Sequence, residues 1–111
     1  MNKFLSAWRG LLLSLRDKSM LLQYKLAALA VTVGLLLQLS LFEWAIWLLA
    51  VGLVLVAEGF NSCLERIGNR ITRARDEEIA EMKDFAAGVV LLASGCSAIL
   101  AIIIVWHHLG G

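Results

Sequence analysis

From residue 58 the sequence reads Glu58-Gly59-Phe60-Asn61-Ser62-Cys63-Leu64-Glu65. Glu58, Asn61, Ser62 and Glu65 stand at i, i+3, i+4 and i+7, so on a helix they share one stripe. Two carboxylates, an amide and a hydroxyl would then lie together on a single face. Glu58 follows fourteen uncharged residues, Trp44 to Ala57, which puts it near a membrane interface and partly out of water. Such partial removal from water is the setting expected of a general base acting on an alcohol. Placing an acidic side chain at mid-bilayer costs about 2.5 to 3.5 kcal/mol on insertion scales, so such residues point to function. A polar stripe can equally glue helices together, or mark where a helix leaves the membrane. Spacing alone does not separate these readings.

The elements around the stripe follow from composition. The chain has 111 residues, 60% of them hydrophobic, and no proline; its mean hydropathy is +0.82. That is too apolar for an ordinary soluble domain of this length. Ala86 to Trp106 holds no charge, Lys25 to Glu43 encloses a second uncharged stretch, and Trp44 to Ala57 is a third. A crossing needs roughly 20 mostly apolar residues, and Leu41 and Phe42 extend the third stretch past Glu43. The expectation is an all-α membrane protein forming one domain over residues 1–111. Its spans fall at about 20–39, 41–58 with an extension to 71, and 85–106. Phe4, Leu5, Trp8, Leu11, Leu12 and Leu15 recur at helical spacing, with Lys3, Ser6, Arg9, Arg16 and Asp17 largely between them. This predicts an amphipathic surface helix over about 3–17, with Trp8 and Tyr24 as interfacial anchors. Thr72 to Met82 reads as a turn with a short solvated helix. The third span then opens at Lys83-Asp84, with Asp84 at the positive helix end.

Charge placement predicts orientation. All ten basic residues fall in two groups, Lys3 to Lys25 and Arg66 to Lys83. The positive-inside rule puts both groups in the cytoplasm, with three crossings and an external carboxyl terminus. Trp44, Trp47 and Trp106 would form an outer aromatic belt. The apolar run after Lys25 is long for a signal peptide, and no small-x-small cleavage site follows it. Cys63 and Cys96 read as packing residues rather than a disulfide. His107 and His108 would point about 100° apart on a helix, which favours a frayed terminus over a metal site. Arg66, Arg70, Arg73 and Arg75 read as topogenic. Nothing suggests nucleic-acid binding, a glycine-rich phosphate loop or a nucleophile triad.

Glu58-x-x-Asn61-Ser62-x-x-Glu65, followed by Lys83-Asp84-x-Ala86-Ala87-Gly88-Val89-Val90, resembles the bacterial integral-membrane diacylglycerol kinase and undecaprenol kinase family. The resemblance covers essentially the whole chain. Leu39-Ser40-Leu41-Phe42-Glu43-Trp44 also looks like the outer turn of the undecaprenol kinase branch. The resemblance implies a homotrimer in the bacterial inner membrane, among membrane lipids. There it would move the γ-phosphoryl group of ATP, with Mg²⁺, onto a lipid alcohol. Diacylglycerol is the first expected acceptor and undecaprenol a close second. Glu58 is similar to the catalytic base and, with Ala87, would contact the lipid substrate. Glu65 matches a metal ligand, and Asn61, Glu65, Lys83 and Asp84 match ATP-binding positions. Three positions depart from the family pattern. Lys18 stands where a glutamate usually contacts a second metal, leaving the adjacent Asp17 as a substitute ligand. Met20 replaces an asparagine and Asn69 an aspartate. A homologue that keeps the bundle but has lost the chemistry is the alternative these departures define.

Overall fold

The computed structural model describes residues 2–71 and 76–110. Arg73, Arg75 and the start of the Thr72 to Met82 turn lie outside them. Four helices, α1 (Lys3–Ser14), α2 (Lys18–Leu37), α3 (Leu41–Ile71) and α4 (Glu77–His108), make up the described fold, with no strand among these residues. The last three are long and apolar enough to cross a membrane. At 31 residues, α3 is about 47 Å long at 1.5 Å per residue, well beyond a hydrocarbon core of about 30 Å. One end must therefore project, and it is the end carrying the polar stripe.

Each helix start is written in the sequence. Asn2 caps α1, its side chain accepting from Phe4 N–H at 2.8 Å. Asp17 caps α2, accepting from Met20 N–H at 3.0 Å. Between α2 and α3, Gln38 takes the left-handed conformation at φ 58° that ends a helix. Ser40 and Glu43 then close a capping box: Glu43 N–H donates to Ser40 Oγ at 3.2 Å, and Ser40 N–H to Glu43 Oε1 at 2.9 Å. Asp76 caps α4 through Ile79 N–H at 3.1 Å.

This last cap starts the helix before the expected Lys83-Asp84, so from Glu77 the segment read as a turn with a short solvated helix runs unbroken into the expected span at 85–106. Among the described residues no separate helix precedes Lys83; α4 is continuous from Glu77. Alanine, methionine, lysine and glutamate there are good helix formers and give no reason to stop. Asp76, Glu77 and Glu78 occupy the positive helix end, and Asp84 lies two turns inside it. Likewise α1 stops at Ser14, short of the expected 17, because Asp17 is committed to starting α2. Ser14 Oγ lies 2.8 Å from Tyr24 Oη, so Tyr24 ties α1 to α2.

α3 is the middle helix and packs along both α2 and α4. Leu39, Trp47 and Ile104 are buried together at the end opposite the stripe. Trp47, expected in an interfacial belt, is buried instead, and its indole N–H donates to Ala30 O at 2.8 Å. Gly34 on α2 makes room for the neighbouring Trp44: a Cβ there would lie 2.7 Å from Trp44 Cη2. Ser97 Oγ donates to Ala50 O at 2.8 Å, joining α4 to α3.

The histidines are not frayed. His107 Nδ1 lies 3.0 Å from Glu43 Oε2, and His108 Nδ1 lies 2.9 Å from Glu43 Oε1. A carboxylate can only accept, so each ring presents its Nδ1–H. Glu43 is 3% exposed and joins the α2–α3 turn to the end of α4. Adjacent imidazoles diverge on the helix, yet the two carboxylate oxygens are reached one by each ring. Glu43→Ala is expected to lower the thermal unfolding midpoint in detergent more than His107→Ala does, because His107 is largely exposed. An unchanged midpoint in Glu43→Ala would show that this clamp contributes nothing.

Candidate active site

The helical rotation of α3, about 100° per residue, assigns its faces. Gly59, Ser62 and Arg66 meet the start of α2. The Met20 side chain lies 3.8 Å from where a Gly59 Cβ would be, Ser62 Oγ donates to Asp17 Oδ1 at 3.5 Å, and Arg66 pairs with Asp17 Oδ2 at 2.9 Å. Gly68 meets α4, where a Cβ would lie 3.2 Å from Ile79 Cγ2 and Lys83 Cε. Glu58, Asn61, Glu65 and Asn69 fall between those two faces. The stripe therefore runs along the angle between α2 and α4.

The same row begins inside the apolar half of the helix. Trp47, Val51 and Val54 precede Glu58 at alternating steps of four and three. They line a groove of about 430 Å³ between α2 and α4, walled also by Ala27, Ala30 and Ala98. An apolar groove thus continues, one turn further on, into a row of polar oxygens. A second apolar cleft of about 690 Å³ lies under α1 on the α2 side of α3, walled by Leu55, Val56 and Phe60. Glu58 does not line it.

Glu58 and Asn61 are half-buried, and Glu65 is exposed. No ion pair to a described residue engages either carboxylate. Asn61 Oδ1 is buried without a hydrogen-bond partner, a position that a polar ligand would relieve. Lys83 Nζ donates to Asn69 Oδ1 at 2.6 Å, which brings α4's lysine to the end of the α3 row. Asp84 and Ala87 are exposed. Asp84 stands about 100° around α4 from Lys83, so a single chain does not bring it to the stripe.

Asp17 is committed elsewhere. The Met20 N–H, and after it the Arg66 guanidinium, hold its carboxyl below the usual carboxylate value, against the opposing effect of burial. A depressed pKa means that this cap and pair stabilise the fold above the ordinary carboxylate range. The contribution is lost as pH falls through the lowered value. Arg66, read from sequence only as topogenic, is Asp17's partner. Asn69, noted only as a departure from a pattern, holds Lys83. Its place four residues after Glu65 was the signal for it.

The oxygen donors suit a hard divalent cation. Among the described residues no group of three or more His, Cys, Asp or Glu side chains gathers for a metal. Mg²⁺ shared with nucleotide phosphates needs only one or two carboxylates and keeps several waters. Glu65, with the unpartnered Asn61 oxygen one turn away, fits that demand.

Fold and site together define a helical membrane protein with three long apolar helices and a carboxylate row where the middle one projects. The family model described as prokaryotic diacylglycerol kinase matches residues 5–105. The chain is also 31% identical over 104 residues to an undecaprenol kinase of Bacillus subtilis (strain 168), covering 93% of this chain and 85% of that one. The chain belongs to the prokaryotic diacylglycerol kinase family. It is a multi-pass membrane protein and a lipid kinase.

Proposed function

We propose that this kinase transfers the γ-phosphoryl group of ATP to the hydroxyl of undecaprenol at the cytoplasmic membrane surface, with diacylglycerol the second candidate. This reverses the order expected from sequence. It is supported by the undecaprenol kinase relative, which aligns with 93% of the chain, and by the outer turn Leu39 to Trp44. The observation that carries the chemistry is the continuous row from Val51 and Val54 to Glu58 and Glu65. A lipid chain in the apolar groove would present its terminal hydroxyl to Glu58.

Glu58 would take the hydroxyl proton as the oxygen attacks the γ-phosphorus. The bond from that phosphorus to the bridging oxygen breaks, and ADP leaves. Glu65 and Asn61 would hold Mg²⁺ against the phosphates, and Lys83 would face them as a point charge. When bound, Mg²⁺ neutralises charge on the β- and γ-phosphates. The engagement of Asp17 with Met20 and Arg66 favours a single ion held by Glu65 over a second held by Asp17. Asp84 and Ala87 are exposed beside Phe85, which is 77% exposed. That favours a homotrimer, in which α4 of one copy completes the site of another. The two basic groups favour a cytoplasmic amino terminus and an external carboxyl terminus.

The acceptor is tested by competition. Purified protein in mixed micelles, given labelled ATP and equal mole fractions of undecaprenol and diacylglycerol, is expected to label undecaprenol preferentially. Preferential labelling of diacylglycerol would overturn the acceptor assignment and leave the site intact.

A further inference from the structure

Lys83 reaches the carboxylate row only because two consecutive residues of α3 let it. Gly68 has no side chain where one would press on Ile79 and Lys83 at 3.2 Å, so α4 closes on α3 at this point. One residue on, Asn69 Oδ1 accepts from Lys83 Nζ at 2.6 Å. Asn69 stands four residues after Glu65, on the face that carries Glu58. A lysine ends in an ammonium on a flexible four-carbon stem and does not hold one direction unaided. Here its stem is packed against Gly68 and its head is fixed by an amide oxygen. It makes no ion pair with any described residue. Its charge is therefore directed at the open end of the row and left for an anion.

We propose that Asn69 is a positioning residue that fixes the Lys83 ammonium where the nucleotide's phosphates bind. Asn69 itself touches no substrate. This rests on the kinase reading, in which Lys83 meets the phosphates. The role belongs to nucleotide binding more than to the proton transfer at Glu58, which lies three turns away along the helix. Loss of the acceptor would thus appear in the KM for ATP before it appears in kcat.

The test uses the full-length protein in detergent, with steady-state kinetics at saturating lipid alcohol and equilibrium dialysis against labelled Mg–ATP. Asn69→Ala is expected to raise the KM and Kd for ATP about tenfold, as loss of a hydrogen bond to a charged group does, with kcat within about twofold. Asn69→Asp keeps an acceptor at the same place and should stay within about threefold of wild type. In a Lys83→Met background, adding Asn69→Ala should change nothing further, because the group it positions is gone. If Asn69→Ala fails to assemble, Asn69→Gln carries the same comparison, since its longer chain moves the amide off Lys83. Unchanged KM and Kd in Asn69→Ala, beside a raised KM in Lys83→Met, would overturn the role of Asn69 and leave the kinase reading standing. A wild-type protein that binds no Mg–ATP would overturn both.

Discussion

Glu58→Gln is expected to reduce turnover by about 10² or more while leaving the protein folded and its nucleotide affinity close to normal. Glutamine keeps the length and the hydrogen-bonding capacity of the side chain but cannot accept a proton. Glu58 is half-buried and follows Val51 and Val54 of the apolar groove on the same face of α3, where the proposed function brings a lipid-borne hydroxyl to the polar row. A substitution that merely loosened the helix packing would lower stability and activity together. Loss of a base lowers kcat alone, because the proposed nucleotide contacts lie away from Glu58, at Asn61 and Glu65 further along α3 and at Lys83 on α4. The check is kcat and KM for both substrates alongside a thermal melt. Near-normal turnover in this variant would remove Glu58 from the chemistry.

Glu65→Gln is expected to raise the Mg²⁺ concentration needed for half-maximal activity about tenfold or more, with partial recovery at high Mg²⁺. A neutral amide oxygen is a much weaker ligand for a hard divalent ion than a carboxylate, yet it still allows the phosphates to bring the ion in. Asp17→Asn sets the contrast. Its side chain is tied to Met20 N–H and to Arg66, so its loss should lower thermal stability and leave the Mg²⁺ requirement nearly unchanged. Titrations of both variants decide how many ions the site uses. An equal rise in the Mg²⁺ requirement of Asp17→Asn would mean that its carboxylate holds a second ion, and the single-ion account would fail.

The long helices were legible because apolar runs bounded by charges leave few alternatives in a chain of this composition. The stripe was legible because i, i+3, i+4 and i+7 are fixed by helical geometry, whatever the stripe does. What escaped the sequence were contacts between residues far apart in the chain. Glu43 and the two histidines are 64 and 65 positions apart, and no local pattern joins a capping-box glutamate to a chain end. Trp47 carries the signature of a membrane-interface residue, and only the small residues across from it on α2 reveal that it is buried. Arg66 looked like one of four topogenic arginines until Asp17 was placed beside it. Asp84 was assigned to a helix start by its distance from the apolar run. The true start is set by Asp76, since good helix formers extend α4 into the polar segment. Asn69 could have been found from its register with Glu65, but its partner Lys83 lies on another helix.

The central claim is that the carboxylate row on α3 moves phosphate from ATP to a lipid alcohol. It is tested most directly by following labelled γ-phosphate from ATP into lipid, using purified protein in micelles that contain undecaprenol or diacylglycerol, with Mg²⁺ present. The account predicts labelled lipid phosphate from the wild type, abolished by chelating the Mg²⁺ and reduced about a hundredfold or more in Glu58→Gln. Folded wild-type protein that labels neither lipid, or a Glu58→Gln variant that labels lipid as fast as the wild type, would contradict it.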